Sequence, residues 1–98
     1  MLNNDKRCFV CGTTNDLHIH HIFEGTANRK KSEEDDMKIY LCGYHHNMSN
    51  AGIHYNKELE LKVKKLAQQV WMKQFVPDLP LEDQIEAFIK RYGRNYLD

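Results

Sequence analysis

Ninety-eight residues, 41% of them hydrophobic and 29% charged, make a chain sized for one domain and balanced enough to fold, which excludes fibrous and low-complexity architectures. Fourteen Lys plus Arg against fourteen Asp plus Glu leave no formal net charge, so any nucleic-acid contact needs a local basic patch. No apolar run approaches the roughly 20 residues that a bilayer demands, and Met-Leu-Asn-Asn-Asp-Lys-Arg carries no signal-peptide core, so no membrane partner and a cytoplasmic location are expected.

In chain order the first feature is Arg7 to Gly12, where Cys8 and Cys11 are followed at once by a glycine. This spacing lets backbone N–H groups turn toward two thiolates on one ion. Residues 17 to 23 alternate at their start, predicting a short strand with Leu17, Ile19 and His21 on one side and His18, His20 and Ile22 on the other. Glu24 to Asp36 has no apolar residue except Ala27 and reads as a long loop. Met37 to Leu41 reads as a second strand ending at Cys42, and Gly43 to Asn50 as the opening of a helix bearing His45 and His46. From about Asn56 to Val76 the period becomes helical, with Leu59, Val63, Leu66, Val70, Ala67, Trp71 and Phe75 on one stripe. Pro77 and Pro80 break it, and Leu81 to Tyr92 supplies a second amphipathic helix with Ile85, Phe88, Ile89 and Tyr92 inward and Gly93 as its stop. The expected fold is α+β, one compact domain with a zinc-stabilised core over residues 1–56 and a helical extension over 57–98. The extension packs on that core or on a second copy as a homodimer.

All three cysteines and all six histidines precede residue 55, so the chemistry is concentrated in the first part of the chain. Cys8-x2-Cys11 and Cys42-x2-His45 form two ligand pairs about thirty residues apart, the pairing expected of a tetrahedral structural Zn²⁺. Three cysteines also leave one over in any disulfide scheme. His46 is an alternative fourth ligand, but His45 preserves the two-residue gap. His20, His21 and His46 then remain. Neighbours on a strand face opposite sides, so one of His20 and His21 can hold a metal while the other addresses a water or substrate. His46 and Asn50, four apart on a helix, could complete a second, catalytic site.

Cys-x2-Cys, then His20-His21-Ile22, a Gly/Arg/Lys-bearing segment, Asp36, and Leu41-Cys42-x2-His45-His46 with a polar residue four positions on together resemble the HNH endonuclease superfamily. The closer similarity is to small phage-encoded HNH proteins linked to recombination, and it covers roughly residues 8 to 56. The tail, with Tyr92-Gly93-Arg94-Asn95-Tyr96-Leu97, is similar to the tails of phage proteins of this size. The resemblance implies a treble-clef, ββα-metal core and a metal-dependent DNA endonuclease. His21 would be its general base, and His20, His46 and Asn50 the ligands of the catalytic ion. The middle Asn of the family pattern falls at Asp36, so either Asp36 or Asn28 is expected to orient the base. Such a donor set accepts Mg²⁺, Mn²⁺, Ni²⁺ or Zn²⁺. It also implies DNA and phage or host recombination proteins as partners, in the host cytoplasm.

Arg29, Lys30 and Lys31 are candidates for contacting phosphates, against the alternative of a solvated turn neutralised by Glu33 to Asp36. His54 is either an extra ligand or a packing residue, and His18 either assists His20 or is a half-exposed strand residue. Trp71 belongs to the core or to a dimer face. The rival function is a non-catalytic zinc module that binds nucleic acid or protein, which needs only the four zinc ligands. A third is an accessory protein acting on a host enzyme.

Overall fold

The computed structural model describes residues 1–97 and shows an α+β chain built on one two-stranded sheet. Strands β1 (Leu17–His21) and β2 (Lys38–Cys42) pair antiparallel, with Leu17 opposite Cys42, His18 opposite Leu41 and His20 opposite Ile39. The alternation read from the sequence is present, and the histidine face is the one turned inward: His20 is buried while Ile19 is exposed. The N-terminal segment runs beside β2, held by Leu2 N–H donating to Lys38 O and Phe9 N–H donating to Tyr40 O. That second bond docks the Cys8–Cys11 turn against the sheet.

Between the strands the expected long loop is a helix, α1 (Thr26–Glu34). Period analysis misses it because it has no apolar stripe, although Ala, Arg, Lys and Glu are strong helix formers. Polar contacts hold it instead. Ser32 is fully buried, its hydroxyl donating to Phe23 O and accepting from Phe23 N–H. Asn28 donates to Tyr92 O and Lys31 Nζ to Arg91 O, so α1 caps the last carbonyls of a later helix.

Directly after β2 comes α2 (Gly43–His46), which is four residues long and does not reach Asn50. The Ser49 hydroxyl donates to Tyr44 O and accepts from Ala51 N–H, a local bonding pattern that competes with helix continuation. A 3-10 turn (Ile53–Tyr55) leads into α3 (Lys57–Phe75), started by the Asn56 side chain accepting from Leu59 N–H. α4 (Leu81–Tyr92) ends at Gly93, whose φ of 91° is the left-handed cap its position suggested.

The buried line of α3 is Val63, Ala67 and Trp71, flanked by Gln68 and Met72. It is rotated from the expected stripe, leaving Leu66 and Phe75 exposed. Buried Gln68 donates to Asn95 Oδ1 and accepts from Tyr96 N–H, which ties the residues after α4 back to α3. On α4, Phe88 and Tyr92 are buried as expected, but Ile89 is exposed. Phe23, Trp71, Phe88, Tyr92 and Tyr96 make one aromatic cluster, with Phe23 and Tyr92 ring centres 4.3 Å apart, so the helical extension packs on the strand-bearing part. Asp35 anchors the same junction: its carboxylate accepts from Trp71 Nε1, the Arg91 guanidinium and the Tyr92 hydroxyl. The acidic run is therefore not uniformly solvated, and its buried member is Asp35, not Asp36. Among the described residues no helix is long and apolar enough to cross a membrane.

Candidate metal centres

The Cys8–Cys11 turn is closed by Gly12 N–H donating to Cys8 O, with Gly12 at a φ of 78° that favours glycine. Cys42 ends β2 and His45 lies on α2, so strand-to-helix geometry brings the second pair to the first. The ligand atoms of Cys8, Cys11, Cys42 and His45 all lie within 4.8 Å of one another. Cys11 Sγ and Cys42 Sγ are 3.8 Å apart, and His45 Nδ1 is 3.7 Å from Cys8 Sγ and 3.3 Å from Cys42 Sγ. Tetrahedral zinc with bonds of about 2.3 Å to sulfur and about 2.0–2.1 Å to nitrogen places sulfurs roughly 3.8 Å apart and sulfur and nitrogen roughly 3.5 Å apart. These three separations match such an ion.

The thiols are also poised for it. Burial pushes the Cys8 thiol up, but backbone N–H groups of Cys11, Cys42 and Val10 outweigh it and bring the group down to about 6. Burial raises Cys42, in part by placing it beside the other two sulfurs. Three thiols crowded together without a cation cannot all ionise, and a bound Zn²⁺ removes that conflict. His45, not His46, is the imidazole that joins them.

His46 belongs to a second cluster. The ligand atoms of His20, His46 and His54 also lie within 4.8 Å of one another. His46 Nε2 and His54 Nε2 are 3.1 Å apart, close to the roughly 3.0–3.4 Å expected for two imidazoles on one ion with bonds of about 2.0–2.1 Å. Burial, then the neighbouring His46 and His54, lowers His20 to about 3. Burial, His54 and His18 likewise lower His46. Burial and like-charged neighbours thus favour the neutral, ligand-competent form of both rings. Glu24 Oε1 lies 3.8 Å from His20 Nε2 and 3.7 Å from His54 Nδ1, placing a carboxylate beside the three rings. These groups, with His21, Thr26 and Arg29, line an open cleft of about 430 Å³.

Several of the expected site residues lie apart from the histidine cluster. Asn50 lies in the exposed turn beyond α2, so its helical i,i+4 relation to His46 is not formed, and His54 from the 3-10 turn joins His20 and His46. Asp36 has a positive φ of 59° and pairs with the N-terminal amine and Lys38, not with His21. The carboxylate beside His21 is Glu33, whose Oε1 is 3.6 Å from His21 Nε2. Asn28 is engaged with the end of α4 and does not face His21. Of the basic trio, Arg29 reaches the cleft, Lys30 is exposed, and Lys31 is committed to the Arg91 carbonyl. Glu24 and Glu33 carry no sequence signal for these roles, since only the turn after β1 and the unanticipated helix α1 bring them to the histidines.

No protein-family model, curated protein or solved structure matches this chain.

Proposed function

We propose that the protein is a metal-dependent DNA endonuclease of the HNH type. In this reading the cysteine cluster is a structural zinc knuckle of treble-clef kind, and the histidine cluster holds the catalytic divalent ion. The observation that carries it is the convergence of His20, His46 and His54 in a cleft that His21 and Arg29 also line. A structural zinc module has no use for a second histidine cluster lining an open cleft.

Phosphodiester hydrolysis needs an attacking water, a base for its proton, and positive charge at the phosphorane and leaving oxygen. His21 sits at the end of β1, one residue after His20, and its side chain is partly accessible while His20 is buried. It takes the proton from the attacking water, and Glu33 across the ring stabilises the imidazolium that forms. Arg29 binds the non-bridging phosphate oxygens from the α1 side of the cleft. An ion held by His20, His46 and His54 would supply Lewis-acid stabilisation of the leaving 3′ oxygen. The donor set, with three imidazoles where a dedicated Mg²⁺ site offers oxygens, favours a first-row transition ion such as Mn²⁺, Ni²⁺ or Zn²⁺.

Supercoiled plasmid tests this directly. Wild-type protein should nick or cut it with a first-row divalent ion and stop on adding chelator, while His21→Ala should be slower by about 10² to 10⁴ with its DNA affinity retained. Intact plasmid across all such ions, or wild-type rates for His21→Ala, would leave the zinc-module reading in its place.

A further inference from the structure

His46 makes a contact on its far side that the metal cluster does not explain. Its Nδ1 lies 2.9 Å from His18 Nδ1, and His18 Nε2 lies 3.2 Å from Asp16 Oδ1. The chain Asp16, His18, His46 therefore runs from an exposed carboxylate to the metal cluster, ending at His46 Nε2 beside His54 Nε2.

We propose that Asp16 and His18 are positioning residues that lock His46 in the tautomer able to bind the second ion. The inference rests on His46 being a ligand, as proposed above. An ionised carboxylate only accepts hydrogen bonds, so it selects the form of His18 that carries its proton on Nε2. Neutral His18 then has a bare Nδ1, which can only accept. His46 must supply the proton from its own Nδ1, and its Nε2 is left with a free lone pair aimed at His54 and His20. For a neutral His18, reversing the chain would set an unprotonated Nε2 against the carboxylate, whereas an imidazolium would donate from Nδ1 and put the His46 proton on Nε2. Metal-bound histidines elsewhere are oriented through their second nitrogen in the same manner, and loss of such partners typically costs about 10- to 100-fold in metal affinity.

The local backbone is built to admit this carboxylate. Asp16 has a φ of 52°, a left-handed conformation that Asp tolerates better than most residues. Its carbonyl accepts from Gly43 N–H at 3.1 Å, which pins the residue to the start of α2, the helix that carries His46. A Cβ at Gly43 would meet the Asp16 carboxylate and the Met48 sulfur and push these side chains aside, so glycine lets the carboxylate keep its place beside His18.

Nitrogen-15 NMR of zinc-loaded wild-type protein should show His46 protonated on Nδ1 and bare on Nε2 before the second site is filled; the opposite tautomer overturns the proposal. Titration with Co²⁺ of protein holding one Zn²⁺ at the cysteines gives the second reading. His18→Leu should weaken the second ion about 10- to 100-fold, with the cysteine site and far-UV spectrum unchanged. His18→Asn, whose Oδ1 can take the acceptor place of Nδ1, should recover most of the loss. If His18→Leu fails to fold, Asp16→Asn makes the same comparison at an exposed position and should weaken Co²⁺ binding several-fold. Wild-type protein that takes no Co²⁺ beyond the cysteine site removes the metal reading itself. Wild-type and variants that take a second ion equally tightly remove only the positioning role.

Discussion

Asp35 and Asp36 are adjacent acids with opposite expected consequences, and replacing each with alanine separates them. The Asp35 carboxylate is buried and accepts from Trp71 Nε1 at 2.8 Å, Tyr92 Oη at 2.7 Å, and the Arg91 guanidinium at 2.9 and 3.0 Å. Asp35→Ala leaves two buried neutral donors without an acceptor, at about 1–3 kcal/mol each, and an Arg91 that is only one-third exposed and regains part of its hydration. Removing one partner of a buried ion pair costs about 3–5 kcal/mol, and the same range is expected here because Arg91 hydration offsets part of the sum. That is a large share of the roughly 5–15 kcal/mol that holds a domain of this size together. Asp36, more than half exposed and paired with the N-terminal amine and Lys38, should cost no more than about 1 kcal/mol. Urea unfolding of the zinc-loaded proteins at pH 7 measures both. Arg91, Tyr92 and Trp71 outweigh burial and hold Asp35 below the usual carboxylate range. Its contribution is therefore complete above the unfolded-state pKa of about 3.9 and is lost as pH falls through the lower folded value. The gap between wild type and Asp35→Ala should narrow over that acid window. An Asp35→Ala loss below about 1 kcal/mol, or an equal loss for Asp36→Ala, would refute the anchoring role.

Two further outcomes follow from the separation of the clusters and from the packing of the tail. Cys42→Ser should unfold the strand-bearing part, because a structural zinc contributes folding free energy outright, whereas His46→Ala should stay folded and lose plasmid cleavage; calorimetry showing equal melting of the two would contradict this. Truncation after Asn56 uncovers Phe23, whose ring packs on Phe88 and Tyr92 of α4 and on Tyr96, and should give an aggregating fragment, which light scattering would detect.

Features set by local spacing were legible in the sequence. Cys8 with Cys11 and Cys42 with His45 were legible as pairs because two-residue gaps bring ligands together within one turn, and the docking of the Cys8–Cys11 turn on β2 then brings the pairs to each other. Alternation placed both strands, and a helical period placed α3 and α4. α1 escaped because its stabilisation is polar and tertiary: Ser32 bonded to Phe23, and Asn28 and Lys31 bonded to the end of α4, leave no periodic apolar trace. The burial of Gln68 in place of Leu66 has a related cause, since the amide is needed to hold the Asn95–Tyr96 segment. At the site, His20 and His46 followed from strand and helix positions. The third histidine depended on where α2 stops. Extending α2 favours Asn50, whereas the Ser49 turn swings the chain so that His54 arrives. Glu24, Glu33 and Asp16 depend on through-space neighbours that no spacing encodes.

If the cysteine and histidine clusters each hold an ion, as proposed, native mass spectrometry counts two per chain. Wild-type protein exposed to Zn²⁺ should hold two ions per chain, and His54→Ala one, because His54 serves only the His20–His46 cluster and the cysteine ligands are untouched. A wild-type chain that saturates at one ion, or a His54→Ala chain that still holds two, would contradict the account.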